Sequence, residues 1–420
     1  MLPASAGSAP PPPPLLPGEH FAAALLFLIA GAAGLISAAP ALAAGAFLSP
    51  RVVATTHLFT LGWITTAIMG ALHQFMPVAL GRPVRSIRVA HVSFALHVTG
   101  LPTFVAGLAT GSSRVLVVGA VLLALGLSTF IVNLWATLAG ARRRDLTWWT
   151  LLAASLFLLM TIGLGLVLTG NLRWAFLGAD RIVALGVHLH LALFGWVFLV
   201  IVGVAHHLLP MFLLSHTEGD RLARAAAVLT ASGAAAVFAL HHAAPPFSRT
   251  LPALLLGGGV AAFLAHAARL YRHRHRRALD PGMQLAAVAL FVLAAGGVPG
   301  ARVAAGGASP QTATLYIVLV LGSFTLFVAA HLYKIIPFLV WHHRIAPLAG
   351  HRSPLPRVAD LFSAGWARTA GGALGTGVLG LALGVQVGST ATVRVSAILF
   401  LAGALTQSVQ LVRLAHRRPT

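Results

Sequence analysis

The segment His190-LALFGWVFLVIVGVAHHLL-Pro210 decides the fold class of this chain. It contains no lysine, arginine, aspartate or glutamate, and it has the length of about 20 residues that a helix needs to cross a bilayer core. Similar apolar runs recur along the chain and predict an all-α integral membrane protein with twelve transmembrane helices. The predicted helices, numbered 1 to 12, lie near residues 20–48, 51–79, 87–110, 114–140, 146–170, 181–213, 219–242, 249–271, 282–300, 310–341, 358–384 and 389–414.

The charge of the chain predicts how these helices are oriented. The 420 residues include 28 lysines and arginines but only 7 acidic residues, which gives a formal net charge of +21. The basic residues cluster in the loops after helices 2, 4, 6, 8 and 10. The positive-inside rule makes those loops cytoplasmic, so the charge reflects topology and not nucleic-acid binding. We therefore expect a bacterial-type inner (cytoplasmic) membrane protein with both termini in the cytoplasm.

The N-terminal segment is predicted to lie outside the membrane. Residues 1–18 include the run Pro10 to Pro14 and are typical of a disordered cytoplasmic tail. No basic region precedes the first apolar helix, so a cleaved signal peptide is not expected. Residues 19–416 are predicted to form a single membrane domain.

An internal repeat organises this domain. The segments His57-LFTLGWITTAIMGALHQFM-Pro77 and Ile317-VLVLGSFTLFVAAHLYKII-Pro337, on helices 2 and 10, align without gaps to the opening segment on helix 6. One glycine and the final proline coincide in all three copies. The period is about 130 residues, or four helices. It predicts three pseudo-threefold-related four-helix arcs, near residues 19–145, 146–277 and 278–416.

The histidines are the candidate ligands. The chain has 20 histidines and no cysteine, so a bound metal must be held by nitrogen or oxygen donors. Intramembrane histidines are costly to bury and mark functional sites by default. We expect one outer layer of histidines to bind haem or metal, with interhelical hydrogen bonding and placement at the membrane interface as the alternative. Its members are His57, His188, His190, His241 and His242.

A second group of histidines lies toward the predicted cytoplasmic ends of helices 2, 6 and 10. Histidines at such positions commonly bond helix carbonyls or sit at the headgroup level, and this is the favoured interpretation here. The group contains His73, His206, His207 and His331.

The outer layer resembles the ligand pattern of the haem-copper oxidase and nitric oxide reductase catalytic subunits, especially their C-type members. In this resemblance His190, His241 and His242 match the copper ligands, and His57 matches a ligand of the low-spin haem. The pattern breaks on helix 10, where Leu315-Tyr316-Ile317 replaces the family's His-x-His. We therefore expect a rearranged haem site held by His57 with His188 or His190.

Other departures restrict the function that the resemblance implies. The three tyrosines are Tyr271, Tyr316 and Tyr333, so neither helix 6 nor helix 7 carries the cross-linked tyrosine of the oxygen reductases. The acidic residues fall in loops or at helix ends, which argues against proton pumping. A second similarity, to the NnrS-type haem and copper membrane proteins linked to nitric oxide stress, rests on His57-LFTLG, although the ending Pro77-VALGRP differs from that family.

Three functions compete at this point. The favoured one is a membrane haem protein of haem-copper oxidase type that binds or reduces oxygen or nitric oxide without pumping protons. It would act as a terminal oxidase or nitric oxide reductase, with one or two haem b groups, with or without copper, and with a cytochrome c or quinol as electron donor. The alternatives are a non-catalytic nitric oxide or haem handling protein and a histidine-based metal or proton transporter. Covalent haem attachment is excluded because the chain has no cysteine.

Overall fold

The computed structural model of the protein describes residues 12–215, 219–244, 247–275, 277–348 and 355–416. Within these residues twelve helices are long and apolar enough to cross a membrane and no β-strand forms, so the predicted all-α membrane fold is confirmed. Helices 1 to 12 span Leu15–Ala43, Pro50–Leu80, Ile87–Thr110, Ser113–Ala139, Leu146–Trp174, Asp180–Leu213, Arg221–Ala239, Phe247–Arg272, Pro281–Ala305, Pro310–Leu348, Ala364–Gln386 and Thr390–His416.

Some helix ends differ from the predicted ones. Helix 1 begins at Leu15, so residues 15–18 of the predicted tail are helical, while residues 1–11 lie outside the described part of the chain. Pro17 does not prevent this start, because a proline in the first helical turn removes no helical hydrogen bond. Helix 10 continues past residue 341 to Leu348. Helix 7 ends at Ala239, before the His241-His242 pair, which the sequence predicts to lie in its last turn.

The chain divides into two compact units, each of which is described by itself. Unit 1 comprises Met1–His20, Ile68–His275 and Gly297–Ala308. Unit 2 comprises Phe21–Ala67, Arg276–Gly296 and Ser309–Thr420. The three four-helix arcs inferred from the repeat stay a prediction.

In unit 1, glycines let neighbouring helices pack with their backbones in close approach. A Cβ atom on Gly119 of helix 4 would lie 2.3 Å from the backbone nitrogen of Phe104 on helix 3. The two helices are joined by a tight turn at Gly111, whose φ of 68° is readily adopted only by glycine. On helix 6, a Cβ on Gly195 would lie 2.8 Å from the Cβ of Phe157 on helix 5. Small residues of this kind are typical of helix contacts inside membranes.

Unit 2 uses the same packing principle. A Cβ on Gly377 of helix 11 would lie 2.7 Å from the Cβ of Phe400 on helix 12, and one on Gly322 of helix 10 would lie 2.5 Å from a methyl group of Val378. Helix 10 is also tied to helix 9, because the Ser323 hydroxyl donates to the carbonyl of Ala289 at 2.8 Å. The repeat glycines of helices 6 and 10 therefore serve close helix approach.

Candidate functional site

His57 and His190 share an unusual backbone context. Each is the last residue of a regular α-helical segment, Pro50–His57 in helix 2 and Asp180–His190 in helix 6. Each is followed by 8 residues of π-helix, Leu58–Thr65 and Leu191–Phe198 respectively. These π-helical segments occupy the same positions of the sequence repeat. Wide turns of this kind are rare inside helices and frequently occur at functional sites.

Helix 10 is the third copy of the repeat and lacks both features. It is regular α-helix over Pro310–Val340, including the positions that align with the two π-helical segments. Ile317 stands where the other copies have histidine. The histidine and the wide turn thus occur together in two copies and are replaced together in the third.

The hydrogen bonds of these two histidines fix which ring nitrogen can act as a ligand. The Nδ1 atom of His57 lies 2.8 Å from the carbonyl oxygen of Val53, and that of His190 lies 2.7 Å from the carbonyl oxygen of Gly186. A carbonyl oxygen only accepts, so Nδ1 carries the proton in both rings and Nε2 carries the lone pair. Imidazoles that bind metals are oriented by such a bond from their other nitrogen. Both side chains are half-buried.

His188 is oriented differently from His190. Its Nδ1 donates to the carbonyl of Thr161 on helix 5 at 3.1 Å, so this ring joins two helices of unit 1. Gly165 provides the space, because a Cβ there would lie 3.3 Å from the His188 ring. The His190 ring instead stacks on Phe194, with ring centroids 6.0 Å apart. The bond of His188 is therefore interhelical, whereas those of His57 and His190 lie within their own helices, and the assignment of His188 as a haem ligand stays a prediction.

The remaining members of the outer layer lie beyond the end of helix 7. His241 and His242 are in a turn, with ring centroids 3.9 Å apart, and His242 is exposed. The His241 ring bonds the carbonyl of Phe238. Among the residues that the structure describes, no three histidine or acidic side chains are gathered closely enough to hold a metal ion. The copper set of His190, His241 and His242 stays a prediction.

A buried tryptophan accompanies each of the two π-helical segments, and the sequence analysis did not single it out. Trp63 is 0% exposed and Trp196 is 2% exposed, and they occupy the same repeat position. The Trp63 indole donates to the carbonyl of Thr325 at 3.4 Å within unit 2, whereas the Trp196 ring meets Phe130 edge-on at 6.2 Å within unit 1. The Gly-Trp dipeptide in both copies was the available sequence signal.

Unit 1 also holds a buried histidine pair that sequence reasoning found only in part. His73 is 1% exposed, and its ring lies 5.0 Å from that of His20, a residue that was not recognised as a candidate. His20 is 0% exposed. Among the described residues, no hydrogen-bond partner meets His20 Nε2 or His73 Nδ1. An unsatisfied buried polar atom costs about 1–3 kcal/mol, so this pair is expensive to maintain.

The other predicted inner histidines mostly bond their own helices. His206 Nδ1 donates to the carbonyl of Gly203 at 3.1 Å, and His331 Nδ1 donates to that of Phe327 at 2.7 Å. The favoured interpretation of the inner group predicts such bonds, but His57 and His190 make the same bond, so the roles of both groups stay predictions. His206 also lines an open cavity of about 330 Å³ together with Pro210, Gly219, Asp220 and His266. Burial is the largest single influence and raises the pKa of the Asp220 carboxyl, but the hydrogen bond and charge of Arg224, with the smaller contributions of a backbone hydrogen bond and His206, together lower that pKa.

Comparisons with known proteins give no evidence for or against a family relationship. No protein-family model matches the chain, and no curated protein matches it. What is shown is a multi-pass membrane protein, and the resemblance to haem-copper proteins stays a prediction.

Proposed function

We propose that this protein is a membrane haem protein of haem-copper oxidase type in which His57 and His190 would each provide a nitrogen ligand to haem b. One observation carries the proposal: each histidine directly precedes a π-helical segment at the same repeat position and holds its Nδ1–H on a backbone carbonyl. Nε2 would then be the nitrogen that binds iron. A haem held in this way would supply electron transfer or the binding of oxygen or nitric oxide.

Haem fits this ligand supply better than a bare metal ion does. Zn²⁺ usually takes three or four protein ligands, and among the described residues no set of three is gathered. The porphyrin brings four nitrogens of its own, so haem iron needs only one or two histidines. Without cysteine the haem would be held by ligation and packing alone, which is b-type binding.

The acidic residues support binding or reduction without proton pumping. Glu19 is paired with His91 at 2.7 Å, and Asp280 is paired with Lys334 at 2.5 Å. Asp145 caps helix 5 by accepting from the backbone nitrogen of Trp148. We place the protein in a bacterial-type inner membrane with both termini cytoplasmic. A cytochrome c or a quinol would supply electrons.

The test is an optical spectrum of the purified protein, oxidised and dithionite-reduced, with haem and copper quantified per chain. A Soret band is expected. His57→Ala and His190→Ala should each remove most of the haem, and the double variant tells whether the two residues serve one haem or two. His416→Ala, at the exposed end of helix 12, is the matched control. Wild-type haem content in both single variants would refute the ligand assignment.

The non-catalytic alternative is favoured by one observation. Helix 10 carries Ile317 in a regular helix, so the third copy contributes no histidine at the repeat position used by the other two. A protein that senses or handles nitric oxide or haem needs fewer ligands than a reductase does. Haem content without oxygen or nitric oxide turnover, measured in the presence of a reductant, would select this alternative.

A further inference from the structure

We infer that His20 and His73 form a binding site for a transition-metal cation that accepts imidazole nitrogen, with Cu⁺ the best match. Both residues belong to unit 1, His20 on the first turns of helix 1 and His73 on the last turns of helix 2. The site shares no residue with the proposed haem ligands. The two proposals can therefore be tested independently of each other.

The spacing of the two rings suits a shared cation. Their centroids are 5.0 Å apart with an interplanar angle of 62°. A metal ion lies about 2.0 Å from an imidazole nitrogen, hence about 3 Å from the ring centroid. Two rings on one ion are then about 5–6 Å apart, depending on the angle at the metal. The observed separation falls at the near end of this range, which corresponds to a bent angle at the metal, and a linear arrangement would need the rings about 1 Å farther apart.

The hydrogen bonds place a lone pair on His20 and leave one ring nitrogen of His73 unsatisfied. His20 Nδ1 lies 2.8 Å from the carbonyl oxygen of Leu16, so Nδ1 carries the proton and Nε2 the lone pair. In the described part of the chain, neither His20 Nε2 nor His73 Nδ1 has a hydrogen-bond partner, although both atoms are buried. A bond from the non-ligating nitrogen to a carbonyl is the usual way in which a metal-binding imidazole is held in place.

The surroundings favour a cation of low coordination number. The His20 ring lies 4.6 Å from that of Phe94, and the His73 ring lies 5.9 Å from that of Phe130. Zn²⁺ prefers four ligands, whereas two imidazoles and apolar walls suit Cu⁺. The partly exposed pair of His91 and Glu19, joined at 2.7 Å, lies beside the site, with Glu19 Oε1 at 3.8 Å from His20 Nδ1.

The test uses the full-length protein in detergent, loaded with Cu⁺ under ascorbate and titrated against a chromophoric Cu⁺ chelator. Zn²⁺ is titrated in parallel. His20→Leu and His73→Leu should each weaken Cu⁺ binding by at least about tenfold, whereas His416→Leu should leave it unchanged. Equal Cu⁺ affinity in the His20→Leu variant and in the His416→Leu control would overturn the proposal, as would tighter binding of Zn²⁺ than of Cu⁺.

Two further measurements separate ligation from a structural role and from the haem site. Leucine removes an unsatisfied polar atom, so the thermal midpoint of the metal-free variants should match or exceed that of wild type. X-ray absorption of the Cu⁺-loaded wild type should show two nitrogen neighbours, and a sulfur neighbour would contradict the assignment without any variant. Cu⁺ binding should persist in His57→Ala and His190→Ala, and its loss there would assign the copper to the outer histidines instead.

Discussion

Helices 6 and 10 share a packing framework but differ in the feature that the proposed function requires. Gly195 and Gly322 both allow close contact with a neighbouring helix, and Pro210 and Pro337 lie at matching positions near the helix ends. Helix 6 adds a histidine and a π-helical segment at Leu191–Phe198, while helix 10 is regular α-helix at the aligned positions and becomes π-helical only at Trp341–Ile345, after the repeat. We infer from this difference that the glycines are required for helix packing, whereas the histidine and the π-helical segment are not.

Substituting the shared glycines should have the largest effect. Gly195→Leu would collide with the Cβ of Phe157, and Gly322→Leu would collide with Val378, so both variants should be destabilised by about 1–3 kcal/mol or more. We expect a strong fall in monodisperse protein for both, measured by size-exclusion chromatography after solubilisation. Gly163→Leu is the control, because no described atom lies within 4 Å of a Cβ there. If only one of the two substitutions lowered the yield of monodisperse protein, the two glycines would not have the same packing role.

Exchanging the histidine between the two helices should affect haem and leave the fold intact. His190→Ile gives helix 6 the residue of helix 10 and should remove most of the haem, measured as the pyridine haemochrome per chain. Ile317→His gives helix 10 the imidazole without the wide turn and should leave haem content unchanged. A gain of haem in Ile317→His would mean that the π-helical segment is dispensable for ligation.

An ion pair of helix 10 should have an intermediate effect. Lys334 Nζ lies 2.5 Å from Asp280 Oδ2, and both side chains are mostly buried, at 17% and 19% exposed. Lys334→Met leaves this carboxylate without its lysine and should cost about 1.5–3 kcal/mol. The aligned position in helix 6 is His207, which lies 3.9 Å from Asp145 with both side chains exposed. His207→Met should therefore cost no more than about 1 kcal/mol, and thermal melts that reverse this order would contradict the prediction.

The smallest effect is expected for His188, the neighbour of His190. His188→Ala removes the bond to Thr161 on helix 5 and should lower stability by about 0.5–1.5 kcal/mol. Haem content should stay at the wild-type level. A melt combined with a reduced-minus-oxidised spectrum tests both statements, and loss of haem would make His188 the ligand in place of His190.

The sequence was sufficient for the twelve spans because each apolar run is long enough to be unambiguous. It located His57 and His190 through the repeat. It could not indicate the π-helical segments, since a wide turn has the same apolar composition as a regular one. His20 was missed because it follows the proline-rich tail, where the helix was expected to begin later. The position of His241 and His242 beyond helix 7 depends on where one helix stops, which apolarity does not define.

The π-helical segment of helix 6 changes the direction in which the later residues of this repeat copy point. A wide turn absorbs about one more residue than a regular turn, and one residue corresponds to about 100° around the axis. Residues after Phe198 are thus out of angular phase with their aligned partners in helix 10, although the alignment has no gap. His206 and Tyr333 share a repeat position but not a direction relative to the start of their helices. Converting the third copy into a ligand-bearing one would therefore require a wide turn at the aligned position as well as a histidine.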